Sequence, residues 1–237
     1  MIGTSERLDP NVHNTTSAYD RATVALHVER YRLAAEYARD ADVVDCACGT
    51  GYGSSMLAQA GARSVQGVDL DRSALVFARG RHAHERITYY EADALRYAVS
   101  PPPTLWVSLE TVEHLPNPRA YVARVAKALP SGGRFIASVP VTVSTDGNPH
   151  HLWDFTRESF RKLLTEHGFE EERALEQTHR FTLGDVFGAS SGARQRDRRR
   201  GLLLWYLRHP SVFVQRVQLT LTKGLVNEYV TIVALRR

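Results

Sequence analysis

Cysteine is nearly absent from these 237 residues: there are two, Cys46 and Cys48. They stand two apart at the end of one predicted strand, poor geometry for a mutual disulfide, and no further ligands lie nearby for a Cys-x-Cys metal site. They read as small buried thiols. Lysine is almost as scarce. Lys127, Lys162 and Lys223 are the only ones, and arginine supplies the rest of the 30 basic residues. Long apolar runs are missing too. None approaches the ~20 residues of a membrane-spanning helix, and Leu202 to Leu207 is far too short. The first residues, Met1 to Asn14, are polar and carry no secretory signal, so the expected location is cytoplasmic. A strong charge of one sign is also lacking. The formal net charge of +4 permits an anionic partner without requiring one. Hydrophobic residues at 43% and charged residues at 24% are ordinary for a globular α/β domain of this length. No internal repeat is visible.

What is present alternates. Residues 1–18 read as a polar arm. Tyr19 to Arg39 carries apolar residues at helical spacing. Strands are predicted at Val43–Cys46, Ser64–Asp69, Ile87–Tyr90, Thr104–Leu109 and Arg134–Val141, with helices between them. A further helix from Phe155 or Thr156 runs to His167, and Gly168 stops it. Residues 180–224 break the alternation and read as an insertion or lid before a closing strand, Glu228–Leu235. The expected domains are an arm and lid helix over 1–39 and one catalytic domain over 40–237. Such alternation predicts a doubly wound, largely parallel sheet, whose ligands bind beyond the carboxyl ends of the strands.

That rule directs attention to five loops. After strand one, Asp45-Cys46-Ala47-Cys48-Gly49-Thr50-Gly51 is a small-residue turn, and its glycines let a ligand approach the backbone. Asp69 ends strand two, 18 residues beyond Gly51, where a carboxylate can accept both ribose hydroxyls of a nucleoside. The turn is not G-x-G-x-x-G and has no clear third glycine for helix packing. Asp45, just before it, would repel a pyrophosphate, and it suits a ligand carrying positive charge. Asp93, within Glu91-Ala92-Asp93-Ala94, is placed to meet an adenine amino group. Adenine, ribose and a cationic tail together describe S-adenosyl-L-methionine.

These motifs resemble the class I S-adenosylmethionine-dependent methyltransferases. Asp45 to Gly51 resembles their first motif, Val65 to Asp71 the second, and Glu91 to Ala94 the adenine loop. Ser108-Leu109-Glu110-Thr111-Val112-Glu113-His114-Leu115-Pro116-Asn117-Pro118 is similar to the fourth-strand motif of the branch that holds ubiquinone-biosynthesis methyltransferases. Leu129-Pro130-Ser131-Gly132-Gly133 matches that branch's turn before strand five. The resemblance implies a Rossmann-like α/β fold, a doubly wound seven-stranded sheet with its last strand antiparallel. It assigns Asp45, Ala47, Gly49, Gly51, Asp69, Leu70, Asp93, Ala94 and Glu110 to the cofactor. Outside the core, His27-x-x-Arg30-Tyr31-x-x-Ala34 and Asn148-Pro149-His150-His151-Leu152-Trp153-Asp154-Phe155-Thr156 resemble segments of a bacterial subgroup that methylates saccharides or glycosylated metabolites. A bacterial polysaccharide is one conceivable acceptor. The resemblance also sets Arg30 against the cofactor carboxylate, with Tyr19 closing the same lid.

A sugar hydroxyl is a poor nucleophile, so a base within hydrogen-bond reach is expected. His151 is the first candidate and His150 the second. Glu113 either orients a histidine or caps the next helix, and His114 is structural or close to the cofactor. Trp153 could stack on a sugar ring. A divalent cation such as Mg2+, if used, would draw oxygen ligands from Glu110, Glu113, Asp146 and Asp154. The Arg194–Arg200 run reads as a solvated loop more readily than as an RNA contact. Leu202–Leu207 and Val212–Leu225 offer apolar faces for acceptor cover or a homodimer contact. The alternatives to sugar O-methylation are O- or N-methylation of another small metabolite, RNA methylation, and a non-catalytic cofactor-binding subunit.

Overall fold

The computed structural model describes residues 18–148, 150–181 and 202–237. Its centre is a seven-stranded sheet in the order β3-β2-β1-β4-β5-β7-β6. The strands are β1 (Asp42–Cys46), β2 (Ser64–Asp69), β3 (Ile87–Glu91), β4 (Leu105–Leu109), β5 (Arg134–Pro140), β6 (Phe169–Arg180) and β7 (Val226–Arg236). The first five are parallel, and β7 runs antiparallel between β5 and β6. The doubly wound sheet with its antiparallel last strand is therefore as expected.

The central strands are buried on both faces, which is why they read as continuous apolar runs. Side chains alternate across the sheet. Val43, Leu105, Val107 and Ile136 pack under α1 (Ala18–Ala35) and α2 (Tyr52–Gln59). Val44, Trp106, Phe135 and Ala137 pack on the other face with residues of α4 (Pro118–Ala128) and α5 (Arg157–Thr165). α3 (Arg72–Arg81) closes a smaller cluster of Leu75 and Ala78 with Cys48 and Tyr89. Local signals set the helix starts. Asp71 accepts from the Ser73 and Ala74 amides, Asn117 caps α4 ahead of Pro118, and Thr156 and Ser159 form a capping box on α5.

The residues of β6 had not suggested a strand. Its sequence, Phe169-Glu-Glu-Glu-Arg-Ala-Leu-Glu-Gln-Thr-His-Arg180, lacks the β-branched and apolar content of a strand. It is an edge strand, and its charges are answered by neighbours: Glu172 by Arg134 at 2.7 Å, Glu171 by Arg161 at 2.7 Å, and Arg173 by Glu36 at 2.7 Å. The apolar residues that secure this pairing belong to β7, where Val230, Ile232 and Val233 are fully buried. Between β6 and β7 the described residues form two helices, α6 (Leu202–Arg208) and α7 (Pro210–Lys223). The Arg194–Arg200 run lies outside the described residues, as does the Tyr19 side chain.

Candidate active site

The strand order reverses between β1 and β4, and a cavity of about 580 Å³ opens there beyond their carboxyl ends. Eight of the expected site residues line it: Ala47, Gly49, Asp69, Leu70, Asp93, Ala94, Glu110 and His150. Two of them are held at positive φ without being glycine, Ala47 at 63° and Glu110 at 49°. Such strain is concentrated where a chain must present groups to a ligand.

The turn after β1 is built by close packing. A Cβ on Gly51, whose φ is 83°, would lie 2.5 Å from the Tyr89 hydroxyl and 2.7 Å from Ala78 Cβ. A Cβ on Gly53 would strike the Tyr31 ring of α1. Gly53 thus does the helix packing for which the motif seemed to have no third glycine. Asp69 fixes the turn from the next strand. One carboxylate oxygen accepts from the Gly49 amide at 2.8 Å and the other from the Asp71 amide at 2.8 Å. Asp93 accepts from the Leu95 amide at 2.8 Å.

Asp45 does not line the cavity. It is fully buried beneath the turn and accepts from Ser54 Oγ at 2.6 Å and from the Tyr31 hydroxyl at 3.1 Å. Burial pushes its carboxyl up to about 6, although both hydrogen bonds oppose the rise. Cys46 and Cys48 are free and buried, and burial raises both thiols, Cys46 to about 12. They are inert neighbours rather than nucleophiles.

Arg30 does not line the cavity. Its side chain is buried, whereas the resemblance set it against a ligand carboxylate. Its Nε donates to Gln177 at 2.7 Å, Nη1 lies 3.2 Å from Glu110 Oε1, and the guanidinium covers the Tyr229 ring at 4.5 Å. Arg30 therefore braces Glu110, which also accepts from Ser138 Oγ at 2.7 Å. The face of α1 that reaches the cavity carries His27 and Tyr31 instead. Their i, i+4 spacing was the available signal for a shared face.

On the acceptor side the expected base also differs in position. His151 is half-buried and does not line the cavity; its Nδ1 lies 2.8 Å from Ser144 Oγ. Its ring packs edge-on against His114 at 4.6 Å, and His114 is the one that lines the cavity. His114 Nδ1 stands 3.1 Å from the His150 carbonyl. A carbonyl only accepts, so Nδ1 is the donor, and in the neutral ring Nε2 is the nitrogen able to accept a proton. Nε2 is 3.9 Å from Oε1 of Glu113, which is fully buried.

Ligand atoms of Glu113, His114 and His151 all fall within 4.8 Å of one another, a set able to hold a metal ion. Each histidine has its other nitrogen tied to an outer group, as metal-binding histidines do. The other carboxylates expected as metal ligands are committed elsewhere. Glu110 serves Ser138 and Arg30, while Asp146 takes a bidentate bond from Arg216 at 2.6 and 2.7 Å. Asp154 holds the Ser144 and Thr145 amides at 2.8 and 3.0 Å.

Residues 43–133, which cover this sheet from β1 to the turn before β5, match the family described as a methyltransferase domain. These residues carry a methyltransferase domain. The protein is thus an enzyme of the S-adenosylmethionine-dependent, methyl-transferring class. Among relatives, a protein of Mycolicibacterium smegmatis named as a probable S-adenosylmethionine-dependent methyltransferase is 27% identical over 196 residues, 80% of this chain and 74% of that one. A ubiquinone biosynthesis O-methyltransferase of Idiomarina loihiensis is 39% identical over 101 residues, 40% of this chain and 41% of that one. Among solved structures, the N-methyltransferase NodS of Bradyrhizobium japonicum with S-adenosyl-L-homocysteine is 14% identical with a TM-score of 0.61, over 94% of this chain and 90% of that one. At that identity it supports the fold alone. Helix α1 and everything from β5 onward, including α6, α7 and the loop after β5, lie beyond the matched residues.

Proposed function

We propose that the protein transfers a methyl group from S-adenosylmethionine to a hydroxyl oxygen of a saccharide or glycosylated metabolite. One observation carries this reading: a single cavity joins Asp69 and Asp93 at one end to His114 and His150 at the other. Asp69, Asp93 and Glu110 line the first end, a carboxylate-rich wall suited to a sulfonium cation, and Asp45 is buried behind it. In this reading the Asp69 oxygens, each already receiving one amide, accept the ribose hydroxyls. Asp93 accepts from the adenine amino group, with Leu70 and Ala94 against the ring. Glu110 and the Gly49–Gly51 turn hold the methionyl end.

The reaction is an in-line displacement. The acceptor oxygen forms a bond to the methyl carbon as the carbon–sulfur bond breaks, leaving S-adenosylhomocysteine. The hydroxyl proton passes to His114 Nε2, and the buried Glu113 carboxylate stabilises the imidazolium that results. His151 positions His114 by packing against it. Trp153 supports a sugar as acceptor: it is 45% exposed, follows the cavity-lining Leu152 in the chain, and donates its indole N–H to the Leu115 carbonyl at 2.9 Å.

The Glu113–His114–His151 cluster favours a second reading, in which these side chains hold a divalent cation. Two imidazoles and one carboxylate fit zinc or a first-row transition ion better than Mg2+. Bound there, a cation would lower the pKa of a coordinated hydroxyl. Labelled S-adenosylmethionine offered with sugars, glycosylated metabolites, phenols and RNA, with and without a chelator, separates these readings. Labelled sugar insensitive to chelator supports the first, and loss of labelling restored by zinc supports the second. RNA labelling alone, or cofactor binding without turnover of any acceptor, overturns both.

A further inference from the structure

We propose that the outward face of α6 and α7 is a docking surface for a membrane whose headgroups are anionic. Neither helix buries a single residue, yet both are rich in large apolar side chains. Leu203 is 75% exposed and Leu221 82% exposed, against a core whose aliphatic residues are almost all below a tenth. At 100° per residue, Phe213, Val217, Leu221 and Val214 fall within one sector of about 100° on α7. Leu203, Leu207 and Leu204 fill a sector of about the same width on α6. Four other exposed positions of α7, Ser211, Gln215, Gln218 and Thr222, are polar and form the adjoining sector. A face meant only for water has no reason to segregate this way; a helix lying in the plane of a lipid interface does.

The charge pattern selects lipid over a second copy of the chain. No Asp or Glu occurs from Leu202 to Asn227, while Arg208, Arg216 and Lys223 do occur, and in sequence Arg198, Arg199 and Arg200 stand just upstream. Arg216 turns inward to Asp146, and Lys223 meets Glu228 at 2.7 Å, so among the described residues of the two helices Arg208 is the exposed cation with no carboxylate against it. A twofold interface would set this patch on itself and bring no carboxylate to Arg208. An anionic headgroup supplies the missing charge. Beyond the described residues the chain carries few large apolar side chains, and residues 182–201 hold Leu183, Val186 and Phe187 among small and polar ones. Residues 1–17 contain four aliphatic side chains, Met1, Ile2, Leu8 and Val12, dispersed among polar ones. No described helix is long and apolar enough to cross a bilayer, so the contact would be peripheral.

The same hairpin is bolted to the acceptor side. Arg216 takes both oxygens of buried Asp146, and the Tyr206 hydroxyl donates to Asp146 at 2.6 Å. Asp146 lies in the loop that continues to His150 and His151. Docking would therefore hold that end of the cavity at a fixed height above the lipid surface, suited to an acceptor presented there.

Flotation of the full-length protein with vesicles tests this. The expected result is binding to phosphatidylcholine vesicles containing phosphatidylglycerol, at least tenfold weaker to phosphatidylcholine alone. A variant with Val214→Gln, Val217→Gln and Leu221→Gln, and a second with Leu203→Gln and Leu207→Gln, should each lose at least tenfold while still binding S-adenosylhomocysteine. Failure of the unaltered protein to float with anionic vesicles overturns the proposal. So does floating by both variants equal to the unaltered protein, or a dimer in sedimentation equilibrium that either variant dissociates.

Discussion

The two ends of the cavity are built by different means. At the donor end, backbone does most of the holding: Gly49 and Asp71 amides grip Asp69, the Leu95 amide grips Asp93, and Gly51 fits where no Cβ can. At the acceptor end, side chains hold side chains: Ser144 against His151, His151 against His114, Arg216 and Tyr206 against Asp146. A backbone-built site needs particular residues at particular spacings along one strand–turn–helix, so it is written locally. A side-chain-built site depends on which distant segments meet. The first kind is hard to change without losing the ligand, and the second can be altered to suit a different acceptor while the donor site stays intact.

The sharpest way to break this comparison is to remove His114. His114→Ala should lower kcat by about 10²–10⁴, the usual worth of a general base, with S-adenosylhomocysteine affinity within about twofold of normal. Calorimetry and single-turnover labelling separate the two. His151→Ala should lower kcat by about tenfold, since it removes packing rather than the accepting nitrogen. If His151→Ala is the more damaging of the two, the base assignment reverts to His151. Asp69→Ala is the mirror experiment. Two charged hydrogen bonds to amides and the ribose contacts go together, so donor affinity should fall by about 10²-fold or more, at roughly 1.5–3 kcal/mol per charged bond. An acceptor KM that rises more than the donor Kd would contradict the division.

The same contrast explains what could be read before any coordinates. Asp69, Asp93 and the Cys48–Gly53 turn were legible because periodicity, an acidic residue and small residues at fixed distances define a strand end without help from elsewhere. The partners of Arg30 were not legible because they are remote. Glu110 stands 80 positions away and Gln177 lies on β6, whose charged sequence did not look like a strand at all. That His114 rather than His151 lines the cavity has a similar origin. Both lie on loops, and only the meeting of the Val112–His114 turn with residues 144–151 decides which ring faces the cavity.

A smaller effect should follow from the bolt between the hairpin and the acceptor loop. Arg216→Met leaves Asp146 without its bidentate partner and frees residues 142–148 from α7. The acceptor KM should rise by about tenfold, while the donor Kd stays unchanged; a 1.4 kcal/mol loss of positioning is enough for that. Equal loss at both ends would mean that the two halves are mechanically one.

Asp45 tests the donor end most finely, through pH. Its folded-state value of about 6 lies above the ordinary carboxylate value near 3.9, chiefly because burial disfavours the charged form. Between about pH 4 and about pH 6 the folded protein therefore keeps a proton that the unfolded chain has released. By linkage, this group's contribution to stability falls as pH rises through that window, the reverse of a salt-bridged carboxylate, by on the order of 3 kcal/mol. Asp45→Asn removes the titration and keeps an acceptor for Ser54. Urea unfolding of both proteins from about pH 4 to about pH 7 should show the variant gaining on the original by up to that amount as pH rises, and parallel curves would remove Asp45 as the titrating group. Cofactor binding should run the other way. A sulfonium cation nearby favours the ionised carboxylate, so the donor should bind the original protein more tightly as pH rises through about 6, with the variant nearly flat. Asp45 would then be a residue that weakens the empty fold above pH 6 and repays it when a cation occupies the cavity.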